Sequence, residues 1–271
     1  MLLDHYIASC LGNAQYYTQS ELKVGSVLAD KIRGRIQLSE ANVQELGFNL
    51  FWLSSKLWAG QFLQGSASGT TISLDTTNAR QKPGYIGDFH THPYEKKMGG
   101  GAKLPFSNGD LVEYFDKPPL HQPISLHFVA SSDQLYLIVF RGTPPAEPDF
   151  TVTTPEVVRL NEHMMNNDKL STAYMKADSL TGMAKWAAMK KAWENHAPQA
   201  AAEFAEDTLR MNLDLANHHG YEFYMGSLAG TGEVTLTLQS RYVYCSTVTR
   251  VFSTMGEAYE AQRRAGPITL M

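Results

Sequence analysis

Two patterns of hydrophobic and polar positions follow one another along this chain. In its first half, short runs rich in β-branched and aromatic residues are bounded by Gly, Asn or Pro, which is typical of β-strands. The predicted strands cover residues 48–53, 70–74, 85–92, 124–130 and 135–141. The last two flank Ser131-Ser132-Asp133, a hairpin signal, and residues 108–115 form a predicted helix that ends before Pro118 and Pro119.

The second pattern begins after a proline-dense stretch, Gly142-Thr-Pro-Pro-Ala-Glu-Pro, which is typical of a linker or long turn. Helix-compatible spacing of Ala, Leu, Met, Glu and Lys predicts helices over residues 157–165, 180–195 and 200–218. Alternation predicts a half-buried strand over residues 233–238, with which residues 241–251 are expected to pair.

The change of pattern predicts an α/β (α+β) protein with a domain over residues 1–150. Its sheet should be flanked by helices. Residues 151–271 should form a mainly helical region with a β-hairpin, either separate or an embellishment of the first, and nothing in the sequence indicates its role.

Composition narrows the class of protein. With 43% hydrophobic and 18% charged residues, the 271-residue chain is expected to fold around a core. A net charge of −4 argues against a basic nucleic-acid-binding arm, and no apolar run reaches the ~18 residues of a membrane span. Cys10 and Cys245 are too few and too far apart for a disulfide framework, and no basic leader precedes the first apolar run. We therefore expect a soluble, cytoplasmic protein without nucleic-acid or membrane partners.

The segment His90-x-His92-Pro93, followed by Ser107-x-x-Asp110, carries the candidate chemistry. Residues two apart on a strand share a face, so both imidazoles can point to one site, and Pro93 ends the strand there. Alone, the His-x-His pair is more often two ordinary histidines, and Ser107-x-x-Asp110 is more often a helix capping box. Together they are much rarer, and they predict a catalytic zinc site with His90, His92 and Asp110 as ligands and one open position.

These motifs resemble the signature of the JAMM (MPN+, or JAB domain) metallo-isopeptidases. The resemblance covers about residues 25 to 145 and implies a mixed sheet flanked by helices, with Zn²⁺ bound by His90, His92 and Asp110. It further implies that Ser107 stabilises the tetrahedral oxyanion and that a Glu takes a proton from the metal-bound water. The implied substrates are peptide or isopeptide bonds in proteins, typically beside ubiquitin-like or sulfur-carrier modifiers. The oligomeric state is not implied.

Two features leave alternatives open. Glu45, in a Glu-x-Gly run 45 residues before His90, matches the family's Glu best, and Glu40 is its competitor. Fourteen residues separate His92 from Ser107, against the family's usual seven. The extra residues surround a glycine-rich segment, residues 98–103, which is either a lid over the site or an indifferent surface insertion.

Two other functions compete with this hypothesis. Asp88-Phe-His90-Thr-His92 also resembles the first-strand metal motif of amidohydrolases, which need eight β/α units with further ligands on later strands. A catalytically silent MPN-like scaffold for protein assembly is the other alternative, although such scaffolds generally lose the metal ligands that this chain retains.

Overall fold

An eight-stranded mixed sheet organises the protein and positions the candidate site. The computed structural model describes residues 1–12, 18–64, 79–93, 103–116, 123–141, 166–219, 221–240, 242–245 and 248–251. Its helices are α1 (Leu3–Leu11), α2 (Ser26–Asn42), α3 (Asn108–Asp116), α4 (Asp168–Asp178), α5 (Gly182–His196) and α6 (Ala200–His219). Its strands are β1 (Glu21–Val24), β2 (Leu46–Leu53), β3 (Lys56–Gln64), β4 (Tyr85–Thr91), β5 (Ile124–Ser131), β6 (Gln134–Arg141), β7 (Glu222–Ser227), β8 (Val234–Leu238), β9 (Tyr242–Cys245) and β10 (Val248–Val251).

The strand order of the large sheet is β1-β8-β7-β6-β5-β4-β2-β3. β4 and β5 run parallel, and the other described pairs of this sheet are antiparallel. Every residue of β4 and β5 is buried, as expected for strands covered on both faces. β4 is an interior strand of the sheet. His90 is paired with Gly47 of β2 on one side and with Val129 of β5 on the other.

Much of the predicted α/β pattern is confirmed. The predicted strands at residues 48–53, 85–92, 124–130, 135–141 and 233–238 correspond to β2, β4, β5, β6 and β8, and the predicted helices at 108–115, 180–195 and 200–218 correspond to α3, α5 and α6. The hairpin between β5 and β6 is present, with Ser132 in the left-handed conformation at φ 54°. The predicted strand at 70–74 and helix at 157–165 lie outside the described residues.

One predicted pairing is wrong. Residues 241–251 were expected to pair with the strand at 233–238, but β9 and β10 pair with each other in a separate two-stranded sheet. β8 instead pairs with β7 and β1. The physical reason is the alternation of β1, whose buried Leu22 and Val24 lie opposite buried Leu236 and Val234 and so complete one apolar face.

Strands from the second region extend the sheet of the first. β7 pairs with β6 along six residues, and β8 follows it in the strand order. In the strand order they lie between β6 and β1, so both regions contribute strands to one sheet. The predicted boundary at residue 150 lies outside the described residues, and the division into residues 1–150 and 151–271 stays a prediction.

The sheet separates two hydrophobic clusters. One includes residues of α1 and α2 together with Phe89 and Phe128, and the other includes residues of α3 and α6 together with Val129 and Phe223. Because strand side chains alternate, the neighbours of Phe89 and Phe128 project toward the α3 side. His90 consequently lies on the sheet face that α3 covers.

Among the residues that the structure describes, no helix combines the length and apolar character needed to cross a membrane.

Candidate metal centre

The end of β4 presents two buried imidazoles at one point. His90 and His92 share a face of the extended segment, and their side chains are only 5% and 3% exposed. The two Nε2 atoms are 3.0 Å apart. Beyond the strand end, the backbone N–H of His92 still donates to the carbonyl of Ala130 at 2.7 Å, so His92 is held in register with β5.

Helix α3 supplies the third group. Ser107 precedes the helix; its hydroxyl and its backbone N–H both donate to Oδ2 of Asp110 at 2.7 Å. The carbonyl of Ser107 accepts from the N–H of Leu111 at 3.2 Å, which begins the helix. The motif is therefore a helix cap as well as a candidate site, and the cap orients the carboxylate of Asp110.

The carboxylate of Asp110 meets both imidazoles. Its Oδ1 is 3.2 Å from Nε2 of His90, and its Oδ2 is 3.3 Å from Nε2 of His92. Two tetrahedral ligands about 2.0–2.1 Å from a zinc ion lie about 3.3 Å from each other, and the separation between each imidazole and the nearer oxygen of Asp110 is close to that value. The side chain of Asp110 is 20% exposed, which leaves a solvent-facing side for a fourth ligand. His90, His92 and Asp110 form a buried cluster that could hold a metal ion, whose identity the ligand set alone does not establish.

The electrostatics of the cluster favour a cation. Burial opposes a positive charge on His90, but the carboxylate of Asp110, with smaller contributions from Glu45 and Asp88, raises the pKa of His90 to about 9. Burial likewise opposes ionisation of Asp110, yet His90 and His92 hold its pKa well below the usual range. The cluster therefore retains a proton where a metal ion would otherwise sit.

Glu45 lies immediately before β2, at the end of that strand that pairs with His90. It is 8% exposed, and the next residue, Leu46, donates its backbone N–H to Oγ1 of Thr91 at 2.9 Å. Its charge is one of the smaller causes that raise the pKa of His90. Glu40 lies in the last turn of α2. The choice of Glu45 over Glu40 as the proton carrier stays a prediction.

Sequence reasoning named Asp88 only within the amidohydrolase-like motif and missed the buried polar group that it forms with Tyr114 and His127 behind His90. Asp88 is 1% exposed; it accepts from the hydroxyl of Tyr114 at 3.2 Å and lies 3.1 Å from Nδ1 of His127. The rings of Tyr114 and His127 stack with centroids 3.7 Å apart. The available signals were the position of Asp88 two residues before His90, on the same strand face, and of Tyr114 one helical turn after Asp110.

The end of the glycine-rich segment and the residue that follows it contact the β5–β6 hairpin. Lys103 forms an ion pair with Asp133, and the hydroxyl of Ser131 accepts from the backbone N–H of Leu104 at 3.1 Å. The carbonyl of Leu104 lies 3.4 Å from Nδ1 of His92. Residues 94–102, which include most of the glycine-rich segment, lie outside the described residues, so the choice between a lid and a surface insertion stays open.

No family model matches this chain, and no significant match was found among curated proteins or solved structures.

Proposed function

We propose that the protein is a zinc-dependent hydrolase that cleaves a peptide or isopeptide bond, as the resemblance to the JAMM/MPN+ family implies. The proposed substrate is a protein or peptide, including one joined to a ubiquitin-like modifier. The observation that carries the proposal is the convergence of His90, His92 and Asp110: the two Nε2 atoms are 3.0 Å apart, and the two carboxylate oxygens of Asp110 lie 3.2 Å from one and 3.3 Å from the other. Three protein ligands with one solvent-facing side are typical of catalytic zinc sites.

When bound there, zinc would supply Lewis acidity that polarises an amide carbonyl and lowers the pKa of a coordinated water to about 7. Glu45 is the proposed general acid and base: it accepts a proton from the attacking water and delivers it to the leaving amine. Its buried position just before β2, two residues from the Gly47 that pairs with His90, supports this role.

Ser107 is the proposed oxyanion donor. In the structure its hydroxyl donates to Oδ2 of Asp110 at 2.7 Å. To serve the developing oxyanion, the hydroxyl must rotate away from that carboxylate, whose Oδ2 would keep the bond from the backbone N–H of Ser107. Ser107 therefore has a structural role as a cap in the resting protein and a proposed catalytic role only when substrate is present.

The test combines metal content with turnover. Protein stripped of metal and returned to zinc should hold about one equivalent. It should cleave either the C-terminal coumarin amide of a ubiquitin-like modifier or members of a peptide library read by mass spectrometry. Zinc near one equivalent with Glu45→Gln inactive and Glu40→Gln active supports the proposal. Zinc well below one equivalent would instead favour the scaffold alternative.

The sheet does not favour the amidohydrolase alternative. That class uses a closed barrel of eight parallel strands. In the described part of this chain, the strand order runs between two edge strands, β1 and β3, and the parallel pair is β4 with β5.

A further inference from the structure

The two histidines of the metal centre are oriented by different kinds of partner. Nδ1 of His92 faces the carbonyl oxygen of Leu104 at 3.4 Å, and a carbonyl can only accept. That contact places a proton on Nδ1 of His92 and leaves the lone pair of Nε2 for a metal ion. Nδ1 of His90 instead faces the hydroxyl of Tyr114 at 3.4 Å, and a hydroxyl can either donate or accept.

The direction of the hydrogen bond between Tyr114 and His90 decides whether His90 can bind a metal. If the hydroxyl donated to Nδ1, the neutral ring would carry its proton on Nε2, the atom that lies 3.0 Å from His92 and 3.2 Å from Asp110. Such a ring has no lone pair for the ion. If the hydroxyl accepts, Nε2 is free.

Asp88 resolves this ambiguity. A hydroxyl has one proton, and that of Tyr114 is donated to Oδ1 of Asp88 at 3.2 Å. Asp88 is 1% exposed, and its other oxygen, Oδ2, lies 3.1 Å from Nδ1 of His127, so it is an anchored acceptor. With its proton committed to Asp88, the oxygen of Tyr114 can only accept from His90.

The packing holds Tyr114 in this position. Its ring stacks on that of His127 and meets the ring of Phe106 edge-on at a centroid distance of 5.8 Å. Tyr114 lies four residues after Asp110, so one face of α3 carries both a ligand and the group that orients another ligand.

We infer that Asp88 and Tyr114 are positioning residues: through the chain Asp88, Tyr114, His90 they fix the His90 tautomer that presents Nε2 to the metal ion. The inference rests on the proposed function in that it takes the cluster to be a metal site. It adds two residues outside the three proposed ligands, and neither belongs to the His-x-His-Pro or Ser-x-x-Asp motif. Partners of this kind orient metal-binding histidines in many proteins, and their loss typically weakens metal affinity about 10- to 100-fold.

The main test is Tyr114→Phe, which removes the hydroxyl and keeps the ring. Its matched control is Tyr221→Phe, because Tyr221 is equally buried and its hydroxyl donates to the carbonyl of Asn212 at 3.4 Å, away from the ligands. Zinc dissociation constants are measured by competition with a chromophoric chelator. We expect Tyr114→Phe to weaken zinc binding about 10- to 100-fold and Tyr221→Phe to change it by less than about threefold.

A second readout follows the tautomer directly. Ring ¹⁵N shifts of His90 are recorded in metal-free protein that carries Asp110→Ala, because the carboxylate of Asp110 would otherwise compete for the proton at Nε2, at a pH that leaves the ring neutral. In this background, protein with intact Tyr114 should carry the proton on Nδ1, and Tyr114→Phe should shift it toward Nε2. A folded Tyr114→Phe protein with unchanged zinc affinity and an unchanged tautomer would overturn the inference.

Asp88→Asn is a second test variant, which keeps the inference testable if Tyr114→Phe does not fold. If the new amide NH₂ faced His127, Nδ1 of His127 would have to accept a hydrogen bond, and the ring proton would move to Nε2. That atom is buried without a hydrogen-bond partner among the described residues, so a proton there would be unsatisfied. The NH₂ should therefore face Tyr114, reverse its hydroxyl and weaken zinc binding by at least about 10-fold. Unchanged affinity and tautomer in this variant would also contradict the inference. A wild type that binds no zinc would defeat the proposed function, and the ¹⁵N shifts would still test the tautomer.

Discussion

Removal of the Asp110 carboxylate should abolish zinc binding and also destabilise the metal-free protein. In Asp110→Ala, the bonds that Oδ2 accepts from the backbone N–H and the hydroxyl of Ser107 are lost, each 2.7 Å long. A helix cap of this kind contributes about 1–2 kcal/mol. For a protein of this size, 1 kcal/mol corresponds to about 2–4 °C in Tm, so loss of the cap alone should lower the Tm of the metal-free variant by roughly 2–8 °C, and loss of the ion pair with His90 should lower it further.

Added zinc should increase the difference in Tm between the wild type and Asp110→Ala. A ligand at about a thousand times its Kd stabilises the native state by about 4 kcal/mol, which corresponds to a rise of roughly 8–16 °C in the Tm of the wild type. Asp110→Ala lacks one of three ligands and should show no measurable rise. The assay is thermal unfolding followed by circular dichroism, with and without zinc, after removal of metal by a chelator.

Ser107→Ala is the matched control, because it removes the hydroxyl of the cap and leaves all three ligands in place. It should lower the metal-free Tm less than Asp110→Ala does, because the contacts of Asp110 with the two histidines remain, and it should keep the zinc-dependent rise. If Asp110→Ala retained the full rise, Asp110 would not be a ligand and the assigned site would be wrong.

Three further outcomes are expected. Glu45→Gln should bind zinc as the wild type does while its turnover falls about 10²- to 10⁴-fold, whereas Glu40→Gln should retain turnover; the opposite result would assign the proton transfer to Glu40. Zinc binding at pH 8 should release about one proton. Because the pKa of His90 is raised to about 9, the metal-free ring is charged at pH 8 and must lose a proton to bind the metal. Calorimetry in two buffers of different ionisation enthalpy measures this release, and equal heats in the two buffers would refute it. Glu222→Gln should lower the free energy of unfolding, measured in urea, by about 3 kcal/mol or more. The substitution removes the carboxylate that lies 2.6 Å from the guanidinium of Arg141, whose side chain is only 3% exposed. A loss below about 1 kcal/mol would show that the buried pair contributes little.

The parts of the site that sequence could predict are those encoded by short-range spacing. His90 and His92 share a face because side chains alternate along an extended segment, and Asp110 is held by a cap three residues long. That these two segments meet was implied by the family resemblance and by no local rule.

The polar group behind the ligands could not be predicted in the same way. Asp88 contacts His127, which is 39 residues away, and Tyr114, which is 26 residues away. Those contacts arise only because β4 and β5 are adjacent and parallel while α3 covers the same face. A buried Asp two residues before a ligand is a weak signal until the neighbouring strand is known.

The strand pairing at the β1 edge of the sheet could not be predicted from sequence either. β1 pairs with β8 although more than 200 residues separate them, and β1 is only four residues long. Its apolar alternation is complete only beside Leu236 and Val234. The expectation that residues 241–251 would fill that place followed from proximity in sequence, which is the commonest arrangement but does not apply here.

The central claim is that His90, His92 and Asp110 bind one zinc ion. A crystal structure of the zinc-loaded protein, with anomalous data collected on both sides of the zinc absorption edge, tests it most directly. We expect one anomalous peak about 2.0–2.1 Å from Nε2 of both histidines and about 2.0–2.2 Å from an oxygen of Asp110. A structure in which these side chains keep their positions and no peak lies between them would contradict the account.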